Sequence, residues 1–411
     1  MVWGARMAEV VLKGGHVQPV WAGHPWVFPQ GIAQVRGTAA HGDEVVVVDA
    51  EGHVLGRGFF AERSAIAVRL FALADEGGFD QPLVERRLRA AIERRRALGL
   101  PDVGARPTDG YRLVHGEGDG LPGLVVDRYG PHLVLQLGTA GMARRVDIVV
   151  QALCSVLGPE GIVDRTSPRV AEAEGFARPP GVLFGTAPDA LCFSERGLRF
   201  ELPIALGQKT GFYFDQRPLR ERVEALSAGR SVLDAYSYVG AIGLSAARGG
   251  AREVTSVDSS APALEVLGAL AAAQGVSVIA RKADAVEFMA AHPGAFELVV
   301  ADPPKLAPGR AARERALRAF RRIAAAALGA ATPGGLVVLS SCSQSIGMVE
   351  IERAVALGAK DARRRAVVVE RVFQGADHPV PPAFPQGLYL STVICHVESA
   401  SGLTAIARAS P

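Results

Sequence analysis

Apolar residues recur along this chain in two rhythms, and the change between them falls near residue 230. From about residue 8 to 75 they come in short runs: Val10-Val11-Leu12, Val45-Val46-Val47-Val48, Val54-Leu55 and Ala65-Ile66-Ala67-Val68-Arg69-Leu70. Gly, Pro and Asp clusters separate them, and closely spaced short strands of this kind predict a small barrel. A helical run over 81–99 follows, then strand-like pieces at 112–115, 123–127 and 132–137, a helix over 141–157, and strands near 161–165 and 198–202. This middle region reads as α+β. Beyond 230, apolar strand candidates (232–234, 253–258, 276–279, 298–302 and 336–340) alternate with alanine-rich segments of 3.6-residue period. Such alternation predicts an α/β, doubly wound and mostly parallel sheet. The ending 388–397, LYLSTVICHV, reads as a last, antiparallel strand. The expected division is 1–76, 77–197 and 198–411.

Composition adds little to this picture. With 411 residues, two or three domains are expected. No stretch is apolar and uncharged enough to span a bilayer, and the first 20 residues lack the apolar core of a secretory signal. Cys154, Cys192, Cys342 and Cys395 lie far apart with no CxxC pair, which argues against a zinc site or disulfide framework and fits a reducing cytoplasm. The formal charge of +3 neither demands nor excludes nucleic acid. Two basic runs, 85–96 (ERRLRAAIERRR) and 310–322 with Arg310, Arg313, Arg315, Arg318, Arg321 and Arg322, are expected to be solvated helix faces with internal Glu–Arg pairing. The second draws more interest because it follows directly on an acidic turn.

Chemistry in open α/β sheets collects outside the carboxyl ends of the strands. There the sequence sets Asp302-Pro303-Pro304-Lys305 after one strand and, about forty residues on, Cys342 after another. A thiol and an Asp-Pro-Pro turn on one rim point to methylation of a nucleobase carbon through a covalent adduct. The cofactor side is read from a small-residue turn, Asp234-Ala235-Tyr236-Ser237-Tyr238-Val239-Gly240, which is no dinucleotide G-x-G-x-x-G. Asp258, with Ser259 beside it, comes 24 residues after Asp234, where an acid accepts from ribose hydroxyls. Asp284 follows the next strand and suits an exocyclic adenine amine. Helix capping explains any one of these acids and explains the set poorly. Together they predict an S-adenosylmethionine site without metal.

With these residues in hand, the chain resembles the bacterial S-adenosylmethionine-dependent large-subunit (23S) ribosomal RNA methyltransferases that form 5-methylcytosine. The resemblance rests on Gly23-His24-Pro25-Trp26-Val27-Phe28, on the run from His115 to Tyr129, on Lys209-Thr210-Gly211-Phe212-Tyr213-Phe214-Asp215-Gln216-Arg217, and on Asp302-Pro303-Pro304-Lys305 and Ser341-Cys342-Ser343. It covers nearly the whole chain and implies an N-terminal PUA domain, a central α+β domain and a Rossmann-like methyltransferase domain. It further implies that Thr210, Gly211, Phe212, Asp215, Gln216, Arg217, Asp234, Tyr236, Gly240, Asp258, Ser259, Asp284 and Asp302 hold the cofactor. Cys342 would be the nucleophile, Asp302 would activate the base, and Lys305, His24 and Trp26 would meet RNA. A homodimer through the middle domain is allowed by the resemblance and demanded by no residue here. Ala241 stands where a glycine is common, Pro29 where a serine is usual and Gln274 where an asparagine is frequent.

Cytosine C5 needs activation: a thiolate adding to C6 makes C5 nucleophilic, and thiolates leave again. The base must also leave its stack. Tyr236, Tyr238, Phe212 and Tyr213 are candidates to stack on it or on adenine, with core filling as the alternative. Cys154, Cys192 and Cys395 are expected to be inert buried thiols. Two other readings stay open: an N-methyltransferase for guanine or adenine in RNA that uses the Asp302 turn, and a non-catalytic RNA-binding assembly factor.

Overall fold

The computed structural model describes residues 7–62, 64–74, 76–207, 209–306 and 313–398. The chain divides into two units, Met1–Phe214 with Ala376–Gly387, and Asp215–Gly375 with Leu388–Pro411.

In the first unit, β1 (Glu9–Leu12), β2 (Trp26–Val27), β3 (Ile32–Arg36), β4 (Glu44–Val48), β5 (Val54–Phe60) and β6 (Val68–Leu73) form a mixed sheet in the order β2-β6-β5-β4-β1-β3. Alternate residues of its strands, such as Val10 and Leu12 or Val45 and Val47, fill one core, as a period of two requires. A second sheet has the order β11-β10-β9-β8-β7, from β7 (Gly110–His115), β8 (Leu124–Tyr129), β9 (His132–Leu137), β10 (Gly161–Asp164) and β11 (Gly181–Gly185). Helices Gln81–Ala97 and Val146–Leu157 share its core through Leu83, Leu88, Val149 and Leu153. The expected helix over 141–157 is split into Ala140–Ala143 and Val146–Leu157, where the Arg145 guanidinium turns back on the Gly141 carbonyl (3.1 Å). β12 (Ala190–Glu195) and β13 (Leu198–Pro203) form a hairpin. The expected boundary at 197/198 falls inside its turn, and the chain leaves this unit only after Phe214.

Within the 85–96 run Arg89 pairs with Glu85 and Arg96 with Glu93 as expected, whereas Arg87 reaches Glu76 and Arg94 and Arg95 both reach Asp119 outside it. Arg95 is 1% exposed and grips Asp119 through two bonds of 2.6 and 2.8 Å.

The second unit is a seven-stranded sheet in the order β16-β15-β14-β17-β18-β20-β19. Its strands are β14 (Ser231–Ala235), β15 (Glu253–Asp258), β16 (Ile279–Lys282), β17 (Phe296–Ala301), β18 (Ala331–Ser341), β19 (Ala366–Phe373) and β20 (Ser391–Val397). β14 to β18 pair in parallel and β20 runs antiparallel between β18 and β19, the predicted doubly wound arrangement. β16 begins three residues later than the apolar run 276–279 suggests, because the Val276 N–H closes the preceding helix on the Ala271 carbonyl (3.0 Å). Apolar cores lie on both faces, one around Phe320, Ile323 and Ile351 and the other around Leu219, Val223 and Ile242. Strand order reverses between β14 and β17, and this switch point opens the crevice where ligands bind in such sheets.

No helix among the described residues is long and apolar enough to cross a membrane. All four thiols are free, Cys395 buried, Cys154 and Cys342 half-buried and Cys192 exposed, the last against expectation because it lies on the outer side of a two-stranded hairpin.

Candidate active site

β14 ends at the switch point, and its last residues set out the crevice. Asp234 is fully buried, and its Oδ2 accepts the Gly243 N–H (2.9 Å) from the helix Ala241–Arg248. Burial, offset in part by the Gly243 N–H and reinforced by the charges of Asp302 and Asp258, pushes its carboxyl up to about 7. Tyr236 and Tyr238 follow with φ of +65° and +51°, a left-handed conformation that bulky residues rarely adopt. Such strain is typical of ligand sites. Gly240, at φ +74°, caps the helix, and a Cβ there would meet Leu267 Cδ1 at 2.1 Å. Burial and the charge of Asp284 raise the Tyr236 phenol to about 12, opposed by Arg322.

Asp258, last residue of β15, accepts from Tyr238 N (2.8 Å) through Oδ2 and from Ser260 N (2.9 Å) through Oδ1, and so holds the Tyr236–Gly240 loop. Ser259 beside it is exposed, and the hydroxyl that caps the next helix belongs to Ser260. Asp284 caps the helix Ala285–Ala291 through Val286 N (2.9 Å) and Glu287 N (3.0 Å). Capping thus accounts for Oδ1 of Asp284, and the acid remains exposed.

Asp302 follows β17, and its Oδ2 accepts from Gln216 Nε2 (2.8 Å). Lys305 is exposed just beyond it. Ala301 is paired with Leu339 on β18, so Asp302 stands opposite Ser340 and Cys342 lies one strand over and two residues further out. Cys342 is half-buried between buried Ser341 and Ser343, and the Ser343–Ile346 bridge closes the turn that follows it.

The 209–217 motif is split between the units. Thr210 and Phe212 are buried in the first, where Thr210 Oγ1 donates to Asp127 (2.5 Å) and Phe212 N donates to the Tyr129 hydroxyl (2.9 Å). The Phe212 ring packs among Phe193, Phe200 and Phe214, so it fills core. Gly211 lies between them at φ +138°, where a Cβ would strike Leu191. Asp215, Gln216 and Arg217 open the second unit. Asp215 Oδ2 accepts from the Tyr389 hydroxyl (2.7 Å), and Tyr389 N donates to Gln374 Oε1 (3.1 Å). The sequence marks neither Tyr389 nor Gln374: Tyr389 lies in the run 388–397 read as a strand, which begins only at Ser391, and both stand more than 150 residues from Asp215.

His24 and Trp26 belong to an aromatic cluster with Phe28 and Phe384, and Trp26 Nε1 donates to Glu117 (2.8 Å). Of the second basic run, Arg313, Arg318 and Arg321 pair with Glu350, Glu314 and Asp361. Arg310 lies outside the described residues.

Among the described residues, Asp234 Oδ1, Ser237 Oγ and Gln216 Oε1 are buried and meet no hydrogen-bonding group. Buried polar atoms left so cost free energy unless a ligand or water satisfies them. A family model for a PUA-like domain matches residues 10–73, and one for an S-adenosylmethionine-dependent methyltransferase matches 181–381. The ribosomal RNA large subunit methyltransferase I of Pseudoalteromonas translucida is 34% identical over 402 residues, covering 95% of this chain and 99% of that one. The chain belongs to the ribosomal RNA large subunit methyltransferase I family. The Klebsiella pneumoniae member is equally similar, 34% identical over 401 residues, with 95% and 98% covered. A methyltransferase structure from Streptococcus mutans shares the fold, with a TM-score of 0.79 at 17% identity over 95% of this chain and 100% of that one.

A member of this family is an S-adenosylmethionine-dependent methyltransferase, and the three orphaned buried atoms fit a polar cofactor at the β14 edge. When bound, the cofactor supplies an electrophilic methyl group. Asp234, whose Oδ1 meets no hydrogen-bonding group among the described residues, and the N-terminus of helix Ala241–Arg248 would face its polar groups. Asp258 holds the loop that walls the site.

Proposed function

We propose that this enzyme methylates C5 of a cytosine in large-subunit ribosomal RNA, with Cys342 as the nucleophile. The observation that carries the reading is a half-buried thiol two residues beyond the strand register of Asp302, at the carboxyl edge next to the cofactor crevice. Cys342 adds as thiolate to C6, which makes C5 nucleophilic. Asp302, steadied by Gln216, hydrogen-bonds the cytosine edge and favours protonation at N3. After methylation solvent water takes the C5 proton, the C5–C6 double bond reforms, and the C6–sulfur bond breaks to return the Cys342 thiolate. Lys305, exposed beyond Asp302, meets the phosphate backbone, and the N-terminal PUA-like domain grips structured RNA.

The test is nucleoside mass spectrometry on 23S ribosomal RNA treated with labelled S-adenosylmethionine and either wild type or Cys342→Ser. Labelled 5-methylcytidine is expected from the wild type alone. Labelled methylguanosine or methyladenosine that survives the substitution would instead assign an N-methyltransferase using the Asp302 turn.

A further inference from the structure

The first unit contains a cavity that the chemistry above leaves unused. His115, Val125 and Gln136 form a row across β7, β8 and β9, and the chain after β10 continues it with Thr166 and Ser167. Above this row lies a cavity of about 180 Å³, with Val125 and Val170 among its apolar lining. A second of about 270 Å³ shares Gln136, Thr166 and Ser167 and opens past Lys209. Neither is lined by Asp302, Cys342 or any residue of the second unit.

The inner space is smaller than drug-sized clefts and suits a single nucleobase. Its walls are apolar on one side and carry hydrogen-bonding groups on the other. The Gln136 amide is fixed by a bond from Nε2 to the Arg165 carbonyl (3.0 Å). The Glu117 carboxylate is fixed by Trp26 at Oε1 (2.8 Å). His115 accepts from Arg112 at Nδ1 (3.0 Å), and burial with the charges of His378 and Arg112 holds it well below the usual histidine range, so the ring faces the cavity uncharged. At the outer mouth the Arg165 guanidinium is committed to the carbonyls of Ile204 and Gly207. Lys209 is exposed there and held over the Tyr213 ring (4.7 Å).

We propose that this cavity is a nucleotide subsite that takes one unstacked RNA base bearing an exocyclic amino group, with its phosphate at Lys209. The apolar lining receives the base face, Glu117 accepts from the amine as carboxylates do from cytosine N4, and the lysine neutralises the phosphate. Because the catalytic residues are absent from its lining, the base it holds is not the methylated one. The inference rests on the reading of an RNA substrate.

The test measures binding of fluorescent oligocytidylate, oligoadenylate and oligouridylate of equal length to the full chain by anisotropy. Wild type is expected to bind the first two about tenfold more tightly than oligouridylate. Glu117→Gln keeps an oxygen for Trp26 and is expected to erase that preference. Val170→Trp, at a lining residue that is 42% exposed, is expected to fill the cavity and weaken oligocytidylate and oligoadenylate binding about tenfold. Both variants should keep wild-type melting and S-adenosylmethionine affinity by calorimetry. Equal binding of all three oligomers by the wild type, or wild-type binding by Val170→Trp, would overturn the subsite. If the wild type forms 5-methylcytidine while Val170→Trp binds RNA normally, the subsite fails and the functional reading stands. If no 5-methylcytidine forms yet the variants lose binding as described, the reverse holds.

Discussion

Asp234 is a carboxyl group shut away from water, with one oxygen on the Gly243 N–H and the other without a hydrogen-bonding partner among the described residues. Burial first, and the charges of Asp302 and Asp258 after it, raise it to about 7, against a value of about 4 in an unfolded chain. The folded protein therefore holds a proton that the unfolded chain releases. Its stabilising contribution is complete below about pH 4 and is lost as pH rises through about 7. Asp234→Asn removes that dependence, so the variant should gain on the wild type by up to the order of 4 kcal/mol between pH 4 and pH 7. Urea unfolding of both proteins without cofactor across that range checks it, and a constant difference would refute it. Spacing after a strand was enough to pick out Asp234 and Asp258. The positive φ of Tyr236 and Tyr238 was hidden, because nothing in a Tyr-Ser-Tyr triplet announces a left-handed turn.

Among the elements, helix Gln81–Ala97 shows where pattern and packing part company. Its ERRLRAAIERRR run looks uniformly solvated, yet Arg95 is buried against Asp119, Arg112 O and Asp377 O. A charged residue reads as exposed until its partner is known, and this partner lies 24 residues away in a glycine-rich loop. Asp119→Asn leaves the guanidinium buried without a counter-charge and is expected to cost about 3–5 kcal/mol. Arg96→Ala, whose partner Glu93 is equally exposed, is expected to cost less than about 1 kcal/mol. Denaturant melts of the two variants should differ accordingly, and similar midpoints would reject the buried-pair account.

For the molecule as a whole, the chain enters the first unit twice. Residues 376–387 return to it after the methyltransferase sheet is mostly built. There Asp377 takes the Arg112 N–H (3.0 Å), its carbonyl takes Arg95 (2.7 Å), and Phe384 lies 4.6 Å from the Trp26 ring centroid. Gly118 faces the Pro379 carbonyl so closely that a Cβ would lie 2.1 Å from it. A fragment of residues 1–214 lacks all of these partners. It is expected to melt well below the same fragment mixed with a 376–387 peptide, and calorimetric scans with and without the peptide test this. No change on adding the peptide would show that the return segment is incidental.

Periodicity and local spacing determined the alternation of strands and helices in the doubly wound sheet and the acids and thiol that follow its strands, because each depends on residues close together in sequence, but they did not mark the edge strand β19 or the strands β11 and β12. Tertiary structure alone decided that Thr210 and Phe212 are held by Asp127 and Tyr129, that Tyr389 holds Asp215, and that Gln216 steadies Asp302. Each of those pairs joins residues more than eighty positions apart. Hydrogen bonds between such distant groups leave no periodic trace, since they form only after both partners have been carried to the same edge of the fold.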